Sequence, residues 1–148
     1  PSLVRMLSSG CGAVVTKSIG MEPKSGHANP CFTEVPGGVV NAMGLPNPGI
    51  ELFAEEMEAA TKAGKVVGSI YGAGPEDFSA LAAKMEDYGA CAVELNLSCP
   101  HAKGYGMEVG TDPAMVGSIV SAVKNAVSIP VWAKLTPPSW RSTRSRPW

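Results

Sequence analysis

Residues 66–95 read VVGSIYGAGPEDFSALAAKMEDYGACAVEL, and the pattern in this stretch decides the fold. Val66–Ile70 is a short run rich in Val and Ile, and Ala92–Leu95 is a second one. Both have the length and composition of buried strands. Between them Phe78, Leu81, Ala82 and Met85 recur at i, i+3, i+4 and i+7, the spacing of one helix face. Gly89 stands where that helix should stop. Strand, helix and strand in so short a span make a βα unit, and repeated units imply a parallel sheet covered by helices.

The same pattern extends in both directions. Ala13–Thr16 and Pro130–Leu135 read as further buried strands, and two more helical faces appear. One is Ile50, Phe53, Ala54 and Met57; the other is Val116, Ile119, Val120 and Val123. Gly64 is placed for a C-cap, and Asp112-Pro113 for an N-cap followed by proline at the first helical position. Lys17 to Asn47 shows no helical period. Instead, Cys31–Val35 and Val39–Ala42 flank Pro36-Gly37-Gly38, which reads as a β-hairpin inserted after the first strand. Insertions there are usually functional loops. Residues 1–9 read as a helix with no strand before it. Residues 1–137 thus form one α/β unit, and 138–148 a separate irregular tail. The tail has three arginines and no acid, and reads better as a truncated or frame-shifted end than as a functional basic segment.

Composition excludes several classes of function. The 148 residues are 45% apolar and 17% charged, with a net charge of -1, so no basic surplus points to nucleic acid. No apolar run reaches the roughly 18–20 residues of a membrane span, and no signal-peptide pattern opens the chain. The profile is that of a cytoplasmic protein. The four cysteines form no CxxC pair, which favours free thiols over disulfides or zinc. Cys11 and Cys91 read as small hydrophobes. Cys99, preceded by Asn-Leu-Ser and followed by Pro, does not. A Cys99–His101 metal pair lacks any further ligand cluster, so no metal is expected. His27 reads as an ordinary loop residue.

In a parallel barrel the reactive groups sit at the C-terminal ends of strands. Those ends carry Thr16-Lys17-Ser18, Ser69-Ile70-Tyr71, Asn96-Leu97-Ser98-Cys99 and Lys134-Leu135-Thr136. Lysine is seldom buried without a partner, so two of them closing apolar strands call for an anionic or electron-rich one. Two lysines, an amide, hydroxyls and a thiol at one mouth suggest a site.

These segments resemble a family. Asn41-Ala42-Met43-Gly44-Leu45-Pro46-Asn47-Pro48-Gly49 is similar to the substrate loop of dihydroorotate dehydrogenases, and Glu94–Pro100 to their catalytic motif. Thr16-Lys17-Ser18 and Trp132-Ala133-Lys134-Leu135 are similar to their flanking flavin-site strands. The resemblance runs in order from Pro1 to Pro137. It implies an FMN-binding (β/α)8 TIM barrel, of which this chain would hold strands two to five, and conversion of dihydroorotate to orotate in pyrimidine biosynthesis. Cys99 would be the base that takes the C5 proton while hydride passes from C6 to the flavin. Cysteine at that place points to the soluble class, since membrane-associated members use serine. Lys17, Ser18, Ser69, Asn96 and Lys134 would contact the cofactor. Lys17, Asn41, Met43, Gly44, Leu45 and Asn96 would contact the substrate. Ser69 departs from the asparagine many members carry, and His101 stands where some soluble members bind substrate through asparagine.

Resemblance around Cys99–Gly106 is greatest to the NAD-linked type, which implies an iron–sulfur flavoprotein partner and a homo-oligomer. Two other readings compete. A dihydropyrimidine dehydrogenase-like barrel also fits Ser98-Cys99-Pro100-His101, although the Asn41–Leu45 loop supplies amides for the extra carboxylate of dihydroorotate. A non-catalytic barrel fragment is the third, because the cofactor phosphate commonly docks after strands seven and eight.

Overall fold

The computed structural model describes residues 2–99 and 106–136. In chain order the elements are α1 (Ser2–Ser8), β1 (Val14–Val15), β2 (Phe32–Val35), β3 (Gly38–Asn41), α2 (Ile50–Ala63) and β4 (Val66–Ile70). There follow α3 (Pro75–Asp87), β5 (Ala92–Asn96), α4 (Met107–Gly110), α5 (Pro113–Ala126) and β6 (Val131–Lys134). Among the described residues β1, β4, β5 and β6 form one sheet in that order, every pair parallel. Strands β2 and β3 pair antiparallel as a separate hairpin, with Phe32 opposite Asn41 and Val35 opposite Gly38. This is the alternating α/β layout of part of a (β/α)8 barrel, with the expected hairpin after the first strand. The tail at 138–148, His101 and Pro100 lie outside the described residues.

Each helix forms because its apolar stripe finds the sheet. Helix α3 opens with Pro75 at its first turn, where a missing N–H costs nothing, and buries Phe78, Leu81, Ala82 and Met85. Helix α2 buries Ile50, Phe53, Met57 and Ala60. The Asp112 carboxylate caps α5 by accepting from the N–H of Ala114 at 2.9 Å and Met115 at 3.4 Å. Gly89 follows α3 with φ 88, as a stop signal should. Gly64 does end α2, but with φ 164 its backbone is extended rather than left-handed. The stripes meet Val66, Ile70, Val93 and Leu95 in one core, where Phe78, Leu81 and Met85 have no exposed surface. Burying each of these side chains stabilises the fold by about 1.5–3 kcal/mol.

The two faces of the sheet differ. Cross-strand register places Val67 beside Ala92, Ser69 beside Glu94, Glu94 beside Trp132 and Asn96 beside Lys134. None of these is in the helix-facing core, so the opposite face is polar toward the strand ends. Strands alternate faces, and that alternation is what separates Leu95 from its neighbours Glu94 and Asn96.

Three expectations fail. Pro130–Leu135 was read as a buried strand, but β6 ends the described sheet and lies open: Trp132 is 51% and Leu135 53% exposed. Among the described residues only one of its edges is paired; Val131 still packs against the helix-facing core, while Trp132 on the other face is left open. Cys11 and Cys91 are exposed rather than packed, because both fall in the links that enter strands and not in the strands themselves. The short helix α4 has no counterpart in the sequence reading; its four residues are too few to show a period. No helix among the described residues is long and apolar enough to cross a membrane.

Candidate active site

All four parallel strands run the same way, so their C-terminal ends share one rim. On it lies a continuous row of polar side chains. Ser69 Oγ donates to Glu94 Oε1 at 2.9 Å, and Lys134 Nζ donates to the same oxygen at 2.6 Å. Ser69 and Ser18 hydroxyls are 2.9 Å apart, and Asn96 Nδ2 donates to Ser18 Oγ at 2.8 Å. An ionised carboxylate only accepts, so the single Ser69 proton goes to Glu94 and Ser69 must accept from Ser18. Donation therefore runs Asn96 to Ser18 to Ser69 to Glu94, with Lys134 arriving from the other side. The Asn96 amide is fixed at its oxygen too, which accepts from Ser98 N–H at 3.2 Å and Ser98 Oγ at 3.0 Å. Thr16, Ser18, Ser69 and Asn96 are buried, and a row this fully paired holds one geometry.

Beside the row stands a turn. Gly44 and Leu45 have φ 75 and φ 57, two successive left-handed residues. Leucine reaches that region only at a cost of about 1–2 kcal/mol, so the surroundings must hold it. A β-carbon on Gly44 would meet His27 Cδ2 at 2.5 Å, which makes glycine obligatory there. His27 N–H donates to the Met43 carbonyl at 3.0 Å, so this histidine braces the turn. Among the described residues the Met43 and Leu45 carbonyls find donors, while no acceptor meets the N–H groups of Met43, Gly44 and Leu45. Consecutive unpaired amides in a left-handed turn are backbone groups of the kind that can receive an anion.

Cys99 stands against the turn. It follows β5, is half-buried, and packs against Leu45 and Tyr71. Gly106 crosses over it so closely that a β-carbon would lie 2.5 Å from the Cys99 carbonyl oxygen and 2.7 Å from its Cβ. The thiol is free, as are those of Cys11, Cys31 and Cys91. Among the described residues no group of three or more His, Cys, Asp or Glu is placed to hold a metal.

Of the residues singled out in the sequence, the structure brings Ser18, Ser69, Asn96 and Lys134 into one network, and Leu45 against Cys99. Gly44 is buried in the turn, and Met43 is exposed with its sulfur 3.5 Å from Cys31 Sγ. Lys17 lies on the same rim, exposed, and meets no carboxylate among the described residues. Asn41 is exposed at the base of the hairpin and takes no part in the hydrogen bonds of the row. The sequence reading missed Glu94, which supplies the anionic partner sought for Lys134 but not one for Lys17. Its signal was present: Glu94 alternates with Asn96 and so shares its face. Tyr71, Asn47 and His27 were also missed as parts of the site.

A family model described as dihydroorotate dehydrogenase matches residues 2–145. The chain is 58% identical over 137 residues to the dihydroorotate dehydrogenase B (NAD(+)) catalytic subunit of Methanocella arvoryzae, covering 92% of this chain and 45% of that protein. It is 55% identical over 138 residues to the subunit of the same name from Pyrococcus furiosus, covering 93% and 46%. The Thermoplasma acidophilum subunit is 50% identical over 137 residues, covering 92% and 46%. The chain thus spans slightly less than half the length of these relatives. Its fold is similar to that of dihydroorotate dehydrogenase from Eimeria tenella, solved with ferulenol, with a TM-score of 0.68 at 18% identity over 79% of this chain and 35% of that one. The chain belongs to the dihydroorotate dehydrogenase family.

Proposed function

We propose that this chain supplies strands two to five of an FMN-dependent barrel that oxidises dihydroorotate to orotate for pyrimidine synthesis. The observation that carries the reading is the packing of the Cys99 thiol against Leu45, in a turn whose three amides have no acceptor. A substrate carboxylate held by that turn puts its ring beside the thiol. The dihydropyrimidine alternative has no use for a carboxylate site and is not favoured by the named relatives.

Family membership implies a flavin, and the polar rim fits one. Asn96 keeps a second amide N–H and Lys134 two ammonium N–H groups beside the buried Ser18 and Ser69 hydroxyls, whose own protons are spent within the row, and these remaining donors suit the nitrogens and oxygens of an isoalloxazine ring. FMN, when bound, would accept the hydride that leaves C6. The chain's own residues do the rest. Cys99, as thiolate, takes the proton from C5, and its sulfur–hydrogen bond forms as the C5–H bond breaks. The electron pair left at C5 closes the double bond to C6. Asn96, fixed at its oxygen by Ser98, presents its amide at one orientation. Lys17 and Asn41 border the substrate, with Lys17 adding an uncompensated positive charge to the rim. Lys134, paired with Glu94, would donate to a bound flavin without adding net charge to the rim.

The relatives are named catalytic subunits, which supports a separate electron-transfer subunit, an iron–sulfur flavoprotein that passes electrons to NAD+. A homo-oligomer in the cytoplasm completes the reading. The test is anaerobic addition of dihydroorotate to the full-length protein loaded with FMN. Bleaching of the flavin band with one orotate formed per flavin supports the function; an unchanged spectrum at millimolar dihydroorotate refutes it.

A further inference from the structure

Every hydrogen-bonding position of one side-chain amide, that of Asn47, is spent on the scaffold around the turn. Its Nδ2 donates to the Leu45 carbonyl at 2.9 Å and to Tyr71 Oη at 2.8 Å. Its Oδ1 accepts from Gly49 N–H at 2.9 Å and Gly20 N–H at 3.2 Å. Two donors and two acceptor sites are all an amide has. The main chain of Asn47 is held as well, exchanging bonds with Lys24: Lys24 N–H reaches the Asn47 carbonyl at 2.8 Å and Asn47 N–H the Lys24 carbonyl at 2.9 Å.

Those four partners lie on four different pieces of chain. Gly20 belongs to the segment after β1, Leu45 to the turn, Gly49 to the start of α2, and Tyr71 to the end of β4. Leu45 is the described non-glycine residue with positive φ, and its carbonyl is one of those Asn47 holds. Tyr71 in turn packs with Leu45 and Cys99. The amide therefore ties the strained turn to the sheet end that carries the thiol.

We propose that Asn47 is a positioning residue for substrate binding: its amide holds Leu45 left-handed, so that the N–H groups of Met43, Gly44 and Leu45 converge on the substrate carboxylate beside Cys99. Among the described residues Asn47 makes no hydrogen bond to Cys99 or to the Ser18–Ser69–Asn96 row, so it acts through the turn and not on the reacting atoms. An isosteric carboxylate cannot replace it. Aspartate would keep the acceptor for Gly20 and Gly49 but lose the donor to Leu45 and Tyr71, and would set an anion against the Leu45 carbonyl.

This inference rests on the proposed oxidation of dihydroorotate, and one experiment separates the two. In the full-length FMN-loaded protein, stopped-flow flavin reduction over a range of dihydroorotate concentrations yields the substrate Kd and the limiting rate. Asn47→Asp should raise Kd by about tenfold or more, as expected when a buried polar group loses its partner. The limiting rate should stay within about threefold and the FMN content at parental level, a split that general loosening of the fold does not produce. Tyr71→Phe, which removes one hydroxyl, should raise Kd by a smaller factor in the same direction, and carries the test if Asn47→Asp does not fold. Parental Kd in the variants overturns the inference, as does a fall in rate, affinity and FMN content together. A parental protein whose flavin is not reduced at all overturns the functional reading itself, and this inference with it.

Discussion

Lys134 Nζ lies 2.6 Å from Glu94 Oε1, and the two ends of this pair are unequally buried: the Glu94 side chain is 14% exposed and the Lys134 side chain 44%. The lysine can turn to water if its partner is lost, but the carboxylate cannot. Lys134→Met should therefore cost the fold about 2–3 kcal/mol, since it leaves Glu94 with the Ser69 hydroxyl alone. Glu94→Gln keeps an oxygen for Ser69 and should cost about 1 kcal/mol or less. Urea unfolding of the two variants decides the order. A larger loss for Glu94→Gln would show that the lysine, not the carboxylate, depends on the pair.

Phe78 has no exposed surface and opens the α3 stripe that covers the sheet. Phe78→Ala should destabilise the chain by about 3–5 kcal/mol through lost burial and the cavity left behind. Leu52, on α2 but 72% exposed, is the control, and Leu52→Ala should stay within about 0.5 kcal/mol of the parent. Thermal or urea unfolding measures both. Equal effects would mean that α3 does not pack on the sheet as described.

Glu86 ties the end of α3 to the segment before β6. Its carboxylate accepts from Ser128 Oγ at 2.5 Å and Ser128 N–H at 3.0 Å, and these bonds hold it below the usual carboxylate range. A depressed folded-state value means that the unfolded chain binds the proton more readily. The contribution is thus present above the ordinary glutamate value and lost as pH falls through the lower folded value. Stability measured from pH 7 down to 3 should fall more steeply for the parent than for Glu86→Gln. Parallel curves would show that the contact does not persist in solution.

Much of the scaffold was legible because it depends on local spacing. Val66–Ile70 and the Phe78, Leu81, Ala82, Met85 stripe were placed by periodicity alone, and the hairpin by a Pro-Gly-Gly turn between two apolar runs. What the sequence could not show depends on partners far away along the chain. Ser18 meets Ser69 across 51 positions, and Glu94 meets Lys134 across 40. Only the strand register makes those neighbours. Lys134 was expected to need an anionic partner, and the partner is supplied from within. The openness of β6 was equally illegible, since Val131-Trp132 reads as buried whether or not another strand covers it.

The turn offers a further check on its geometry. Gly44→Ala would place a methyl group 2.5 Å from His27 Cδ2 at a backbone angle that alanine disfavours. Its expected cost is at least about 1 kcal/mol in stability, with weaker binding of dihydroorotate. His27→Gly in the same background removes the ring contacts but leaves the backbone nitrogen of residue 27 at 2.8 Å and the angle unchanged, so it should recover only a small part of the loss. Full tolerance of Gly44→Ala, in both unfolding and substrate titration, would contradict the left-handed turn.

The central claim is that Cys99 is the base. Stopped-flow reduction of the flavin by dihydroorotate, in full-length protein carrying Cys99→Ala or Cys99→Ser, tests it most directly. An ordinary thiol titrates at about 8.5 and a serine hydroxyl far higher, so the parent and Cys99→Ser should differ with pH. Cys99→Ala should slow flavin reduction by about 10²–10⁴-fold with FMN still bound, the usual worth of a general base. Cys99→Ser should regain activity only as pH is raised. Flavin reduced at the parental rate by Cys99→Ala would remove Cys99 from the chemistry and with it the account of the site.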